Sequence, residues 1–338
     1  MSKLSSAAAG VAVASVLATA SVASPALESK TQAFIDALAK SGGAPIYTLS
    51  HDQARNVLAG AQTPTIPSAA TTVEDAVFPV GPTGKVSVRI VRPAGALGAL
   101  PVVMYFHGGG WVMGDPITHD HLIREIAAGA NAAVVFVHYD RAPEVQYPTN
   151  NEQAYAATQY VAENAKALNL DASRLAVAGD SAGGNMAAAI TLLAKDRKGP
   201  QIRHQVLFYP VTDDVSDNSS YRSFGEGPWL TTKAMHYFLD ANFPKASRQE
   251  ITAFPLKASV EQLKGLPEAT IIVAENDLLR DEGEAYGRKL SEAGVTVTSS
   301  RYNGTIHDFV MLNALAATPA AKAAIAQASA ALKTAFAK

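Results

Sequence analysis

The sequence predicts an α/β fold, a mostly parallel sheet of eight strands covered by helices on both faces. Three observations carry that expectation. From Pro101 onward, short near-continuous apolar runs alternate with helix-length segments, the pattern of strands buried on both sides. Ahead of Pro101, Val73–Val80 and Lys85–Val91 flank Gly81-Pro82-Thr83-Gly84, the spacing of an antiparallel hairpin at a sheet edge. At the centre, Arg174–Ala178 is a strand-length apolar run, Gly179–Gly184 a turn of small residues, and Asn185–Lys195 an Ala/Leu-rich helix. A chain of 338 residues, 48% hydrophobic and 17% charged, is long enough to bury one large core of this kind.

The elements follow in order. Leu4 to Leu27 carry no charge and are mostly Ala, Val and Ser. Lys3 serves as a minimal basic region, Ala7–Val22 as an apolar region and Ser21-Val22-Ala23 as a small-x-small cleavage site. Residues 1–24 are therefore expected to be a signal peptide, and the mature protein to be periplasmic or secreted. The segment is too rich in Ala and Ser for a convincing membrane anchor. Glu28–Gly60 reads as helical in two pieces. Thr31–Leu38 has apolar residues at helical spacing and Gly42-Gly43 ends that run; Ser50 with Gln53 three residues on forms a capping box for the second. A Pro/Thr/Ser linker spans Thr63–Thr71, and the hairpin follows.

Beyond it come the strand Val102–Phe106, helix Ile117–Gly129, strand Ala132–His138, helix Pro148–Leu168, and strand Ile202–Tyr209 after the central unit. Between Val211 and Leu256 the alternation breaks. Asp213, Asp214, Asp217, Asn218, Gly225, Gly227 and Pro228 mark a loop, and a helix follows near Thr231–Phe243. This reads as an insertion over the C-terminal edge of the sheet. The strands Ala269–Ala274 and Thr296–Arg301, with the helix Glu282–Ala293 between them and a last helix over Thr318–Ala337, complete the chain.

Composition excludes several classes. The formal net charge is −2, from 28 basic and 30 acidic residues without a basic stripe, so nucleic acid is not an expected partner. With no Cys, disulfides, thiolate catalysis and Cys-based metal sites are ruled out. His119 and His121 are an i, i+2 pair without a third clustered ligand, and they read as surface residues. His138 sits at a strand end and reads as structural, while His51, His204 and His236 lack catalytic context. No cofactor or metal is called for.

The chemistry centres on Gly179-Asp180-Ser181-Ala182-Gly183. A bare G-x-S-x-G arises by chance in roughly one chain in ten of this length, so its weight depends on partners. Gly179 and Gly183 let strand and helix approach while Ser181 is held in a strained conformation, with helix N–H groups behind it. A serine nucleophile needs a base, an orienter for that base and donors for an oxyanion. His107-Gly108-Gly109-Gly110-Trp111 follows a strand and offers backbone N–H groups unobstructed by side chains. A phosphate loop is excluded there, because neither G-x-x-x-x-G-K-[ST] nor a following helix is present. Past the strand ending near Ala274, Asp277 is the first carboxylate once the turn begins, with Glu275 in reserve; Asp281 and Glu282 belong to the start of the next helix. His307 follows the last strand. Ser181, Asp277 and His307 are separated by 96 and 30 residues, in the order Ser…Asp…His.

At this point the chain resembles the bacterial hormone-sensitive-lipase-like, or family IV, esterases of the α/β-hydrolase superfamily. The matching pieces are His107–Trp111 with Gly114-Asp115, Tyr139-Asp140-Arg141-Ala142-Pro143-Glu144, Gly179–Gly184, Asp277–Gly283 and His307. The resemblance implies Ser181 as nucleophile, His307 as base and Asp277 as its orienter. It implies an oxyanion hole of N–H groups in Gly108–Gly110, chiefly Gly109 and Gly110, together with Ala182. It also implies a helical cap, from about 25–62 and 211–250, over the acyl and alcohol pockets. The expected activity is hydrolysis of short- to medium-chain acyl or aryl esters. An acyltransferase using the same triad, or a specialised polymer or antibiotic ester hydrolase, stands as the alternative. A non-catalytic receptor of the superfamily is disfavoured by the presence of His307. A homodimer through sheet edges or late helices is compatible with the resemblance. Phe224, Trp229, Tyr237 and Phe238 are apolar enough to meet an acyl chain or to pack the cap itself. The chain departs from the family at Leu278, where Pro usually stands, at Asp308, where Gly is common, and within the Tyr139–Glu144 block.

Overall fold

The computed structural model describes residues 26–215 and 217–338. The expected signal peptide, residues 1–24, lies outside the described residues. Eight strands form one sheet in the order β1-β2-β4-β3-β5-β6-β7-β8. These are β1 Thr71–Phe78, β2 Val86–Pro93, β3 Leu100–Phe106, β4 Ala133–His138, β5 Leu170–Asp180, β6 His204–Phe208, β7 Glu268–Asn276 and β8 Val297–Ile306. The hairpin β1–β2 is antiparallel at the edge, β2 joins β4 antiparallel, and β3 to β8 run parallel. β3 is buried along its whole length, as a strand covered on both faces must be.

The helices are α1 Ser29–Ser41, α2 His51–Ala61, α3 Asp120–Ala130, α4 Thr149–Asn164, α5 Ala182–Asp196, α6 Ser219–Phe224, α7 Thr232–Asn242, α8 Val260–Leu263, α9 Arg280–Glu292 and α10 Pro319–Ala337. The expected cap of α2 is present, with Ser50 accepting from Gln53 N while Gln53 accepts from Ser50 N. α6 corrects the reading of Asp213–Pro228 as loop alone. Asn218 caps it by accepting from Tyr221 N, and its shortness hides it from periodicity. Among the described residues no helix is long and apolar enough to cross a membrane.

One consequence of this topology dominates the site. The parallel strands end at Phe106, His138, Asp180, Phe208, Asn276 and Ile306, so the next residues are His107, Tyr139, Ser181, Tyr209, Asp277 and His307. Each strand therefore delivers its first residue beyond the sheet to the same C-terminal edge, where open α/β sheets hold their ligands. β7 and β8 shift register between Ala274 and Asn276, after which Asn276 pairs with Ile306. That irregularity brings Asp277 and His307 out of the sheet side by side.

Candidate active site

Ser181 occupies the turn between β5 and α5 with φ 53° and ψ −118°, a conformation that a non-glycine residue adopts only under constraint. The constraint is local hydrogen bonding. Ser181 N donates to Phe208 O at 2.9 Å, and its own carbonyl accepts from Asn185 N at 3.0 Å and Val211 N at 3.2 Å. A Cβ at Gly183 would overlap the Phe106 carbonyl, so only glycine lets α5 seat this closely on β3.

His307 bridges the two other candidates. In the tautomer set by the carboxylate, Nδ1–H donates to Asp277 Oδ2 at 2.7 Å, and Nε2 meets Ser181 Oγ at 2.9 Å. Asp277 Oδ1 accepts from Leu279 N at 3.0 Å, which fixes the carboxylate from behind. Ser181, His307 and Asp277 are only 5%, 2% and 2% exposed, so the interactions operate away from bulk water. Burial by itself would depress the imidazolium. The charges of Asp277 and Asp308 and the hydrogen bond to Asp277 outweigh it and lift His307 to about 9.

The glycine loop lies beside Ser181. Gly109 and Gly110 have φ values of 99° and 62°, which turn their N–H groups out of any strand-like path. The N–H groups of Gly109, Gly110 and Ala182 have no partner among the described residues. Gly108 corrects the expected set. Its N–H donates to Asp180 Oδ1 at 3.0 Å and is thus already committed within the protein.

Asp180 is the hub of a wholly buried polar cluster. Its Oδ1 also accepts from Tyr105 OH at 2.6 Å, and its Oδ2 lies 3.3 Å from His119 Nε2. Burial would raise the Asp180 carboxyl, but His119, Tyr105 and Gly108 together hold it below the usual carboxylate range. His119 is raised in turn: Asp180 outweighs the burial that would lower it. This overturns the reading of His119 as a surface residue, since it is fully buried. Its partner stands far away in the sequence, in the elbow itself. His121 is partly buried against Ser68 Oγ at 2.9 Å. Among the described residues no group of three potential ligands is clustered to hold a metal ion. His107 is buried and stacks against Tyr139 with ring centroids 4.2 Å apart, while Tyr139 OH donates to His107 O at 2.8 Å. The Tyr139–Glu144 block thereby braces the glycine loop. Arg141 adds a donor to Gly114 O at 3.0 Å.

Above Ser181 lies a cavity of about 190 Å³. Its floor is Ser181, His307, Gly109 and Gly110; its walls include Leu58, Val211, Trp229, Leu230, Met235 and Phe238. Of the four aromatic candidates, Trp229 and Phe238 face the cavity. Tyr237 instead stacks on His51 at 5.0 Å, and Phe224 lies under the Arg280 guanidinium at 5.2 Å. Sequence reasoning missed Tyr209, fully buried with its ring 4.7 Å from that of His307. Its place as the first residue after β6 is the signal that could have found it.

Comparison with known proteins agrees with this fold. Residues 103–311 match the family described as alpha/beta hydrolase fold. The crystal structure of a thermostable esterase from Pseudomonas putida ECU1011 superimposes with a TM-score of 0.91 at 50% identity, covering 93% of this chain and 98% of that one. Carboxylesterase NlhH of Mycobacterium tuberculosis is 41% identical over 253 residues, 74% of this chain and 79% of its own length. An ethyl acetate hydrolase from Pseudomonas putida is 37% identical over 233 residues, 68% of this chain and 72% of its own.

Proposed function

The chain belongs to the α/β-hydrolase family, in its hormone-sensitive-lipase-like esterase branch, and on that premise we propose that it is a serine carboxylesterase for short-chain acyl esters. The observation that carries the mechanism is the continuous link Asp277–His307–Ser181, at 2.7 and 2.9 Å, beneath a cavity. Ser181 Oγ attacks the ester carbonyl while His307 Nε2 takes its proton. Asp277 holds the imidazole tautomer and stabilises the imidazolium that forms. The N–H groups of Gly109, Gly110 and Ala182 receive the oxyanion, each contributing about 3 kcal/mol to the barrier lowering. His307 then protonates the leaving alcohol, and in the second half activates water to release the acyl group from Ser181.

The chain-length preference rests on size. A cavity of about 190 Å³ is smaller than the pockets that enclose drug-sized ligands, which begin near roughly 300 Å³. The ethyl acetate hydrolase among its relatives points the same way. We assign the segments 25–62 and 211–250 to a cap, because Pro45, Leu58, Trp229 and Phe238 from them line the cavity. From the composition of residues 1–24 we also propose export, which the intact mass of protein from its native host would test. An uncleaved amino terminus would refute it.

The mechanism is tested with p-nitrophenyl esters from acetate to palmitate, using wild type and Ser181→Ala. The expected result is an optimum at the acetate-to-butyrate end and a loss of several powers of ten in kcat/KM for the variant. Full activity in Ser181→Ala would refute the mechanism, and an optimum at palmitate would refute the chain-length assignment.

A further inference from the structure

A second space adjoins the catalytic cavity. It is an open groove of about 740 Å³ where α1 and α2 meet Trp229, lined by Ile35, Leu38, Leu49 and Val57 among others. Val57 and Trp229 line both this groove and the cavity above Ser181, so these two side chains form the wall between them. Val57 is short and 46% exposed, which leaves the indole as the larger part of that wall. The indole is braced on two sides. Its Nε1 donates to Asp308 Oδ2 at 2.8 Å, and its ring packs on Phe34 of α1 at 5.5 Å between centroids. The backbone of Trp229 has φ 72°, in the left-handed region where glycine is most at ease, so this large side chain stands there at a conformational cost. The wall also has a side. Asp308, to which the indole is tied, follows His307 directly and places its Oδ1 3.5 Å from His307 Nε2. That nitrogen protonates the leaving oxygen, so the alcohol part of an ester passes here.

We propose that Trp229 is a specificity-determining residue that limits the length of the alcohol part of the ester, by closing the catalytic cavity off from the groove between α1 and α2. The inference rests on the esterase reading above. An alcohol that ends at the indole lies wholly within the cavity. A longer one meets a wall fixed on both sides, and forcing extra methylenes against fixed packing is unfavourable. Behind the wall the groove is apolar and falls within the roughly 300–1,000 Å³ of small-molecule sites. With the indole gone the two spaces join, and an alkyl chain can leave water along the face of α1.

Ethyl, butyl and octyl acetate test the idea, with wild type, Trp229→Gly and Trp229→Phe. The readout is the octyl-to-ethyl ratio of kcat/KM, in which any change at the triad common to both esters cancels, the lost bond to Asp308 included. In wild type kcat/KM should fall from butyl to octyl acetate. Trp229→Gly suits the backbone and should raise the ratio by about tenfold or more, the scale on which pocket size discriminates alkyl groups. Trp229→Phe keeps a ring in the wall but loses the bond to Asp308, and should leave the ratio as in wild type. Ethyl octanoate, whose long chain lies on the acyl side, should not share the gain. Leu38 lines the groove and not the catalytic cavity. Leu38→Glu, added to Trp229→Gly, sets a carboxylate in the groove and should abolish the gain for octyl acetate while ethyl acetate hydrolysis is kept; a merely loosened cap would keep the gain. An unchanged ratio in Trp229→Gly would overturn the proposal. So would a rise as large in Trp229→Phe, an equal gain for ethyl octanoate, or a gain that survives Leu38→Glu. Failure of the esterase reading appears separately, as p-nitrophenyl acetate hydrolysis that persists in Ser181→Ala.

Discussion

The floor and the roof of the cavity are built by different means. The floor, at the ends of β3 to β8, is held by buried polar bonds: Asp180 ties Tyr105, Gly108 and His119 together, and Asp277 ties His307 to Leu279 N. The roof directly over the cavity, where α1 and α2 meet Trp229–Tyr237, is held mostly by aromatic contacts and half-buried bonds, whereas Thr212, Ser220 and Asn242 tie the rest of the 211–250 segment to the core through buried bonds with Glu282, Leu278 O and Asn150. Phe34 meets Trp229 at 5.5 Å, His51 stacks on Tyr237, and Tyr237 OH reaches Leu49 O at a long 3.3 Å. Buried hydrogen-bonded charge permits one arrangement only, because any other leaves a group unpaired. Apolar and surface contacts tolerate sliding. The chemistry is thus fixed in the floor, while much of the cavity's shape is left to the roof.

The contrast is broken most directly at Asp180. Asp180→Ala strands Tyr105 OH, Gly108 N–H and His119 in a wholly buried site, and should destabilise the fold by about 3–5 kcal/mol. Urea unfolding should show it, and kcat should fall with it because Gly108 no longer anchors the glycine loop. A loss below about 1 kcal/mol would mean that this cluster does not hold the floor.

A smaller effect follows from His307, whose pKa is lifted to about 9. The base must be neutral to act, so kcat/KM should fall about tenfold per pH unit on the acid side of that value. Stability should run the other way. The raised pKa contributes stability that is fully present below about pH 6.5, the ordinary histidine value, and lost as pH rises through about 9. Rate profiles and urea midpoints taken together between these limits should therefore slope oppositely, and His307→Gln should flatten that share of the stability slope. Parallel slopes in wild type would contradict the assignment.

The smallest expected change is in the roof. Tyr237→Phe removes one long, half-buried bond to Leu49 O and keeps the ring on His51, so stability should move by no more than about 0.5 kcal/mol. A change as large as that of Asp180→Ala would erase the distinction between the two regions.

The parts of the site legible in the sequence are those where local chemistry leaves little choice. A positive φ demands glycine at Gly109 and Gly110, a strand-to-helix turn demands small residues around Ser181, and the order Ser181, Asp277, His307 follows the strands that deliver them. What was hidden depends on distant partners. His119 looked exposed because Asp180, which buries and charges it, is 61 residues away. Gly108 looked like an oxyanion donor until the same carboxylate proved to hold its N–H. β8 runs on to Ile306, past the expected end at Arg301, because β7 pairs with it there.

The central claim is that Ser181 alone carries the acyl group through the reaction. Diethyl p-nitrophenyl phosphate, which arrests a serine hydrolase at its phosphorylated nucleophile, tests it by intact-protein and peptide mass spectrometry. One adduct per chain, on the peptide bearing Ser181 and formed in step with loss of esterase activity, is the predicted result. An adduct on another residue, or undiminished hydrolysis after Ser181 is labelled, would contradict it.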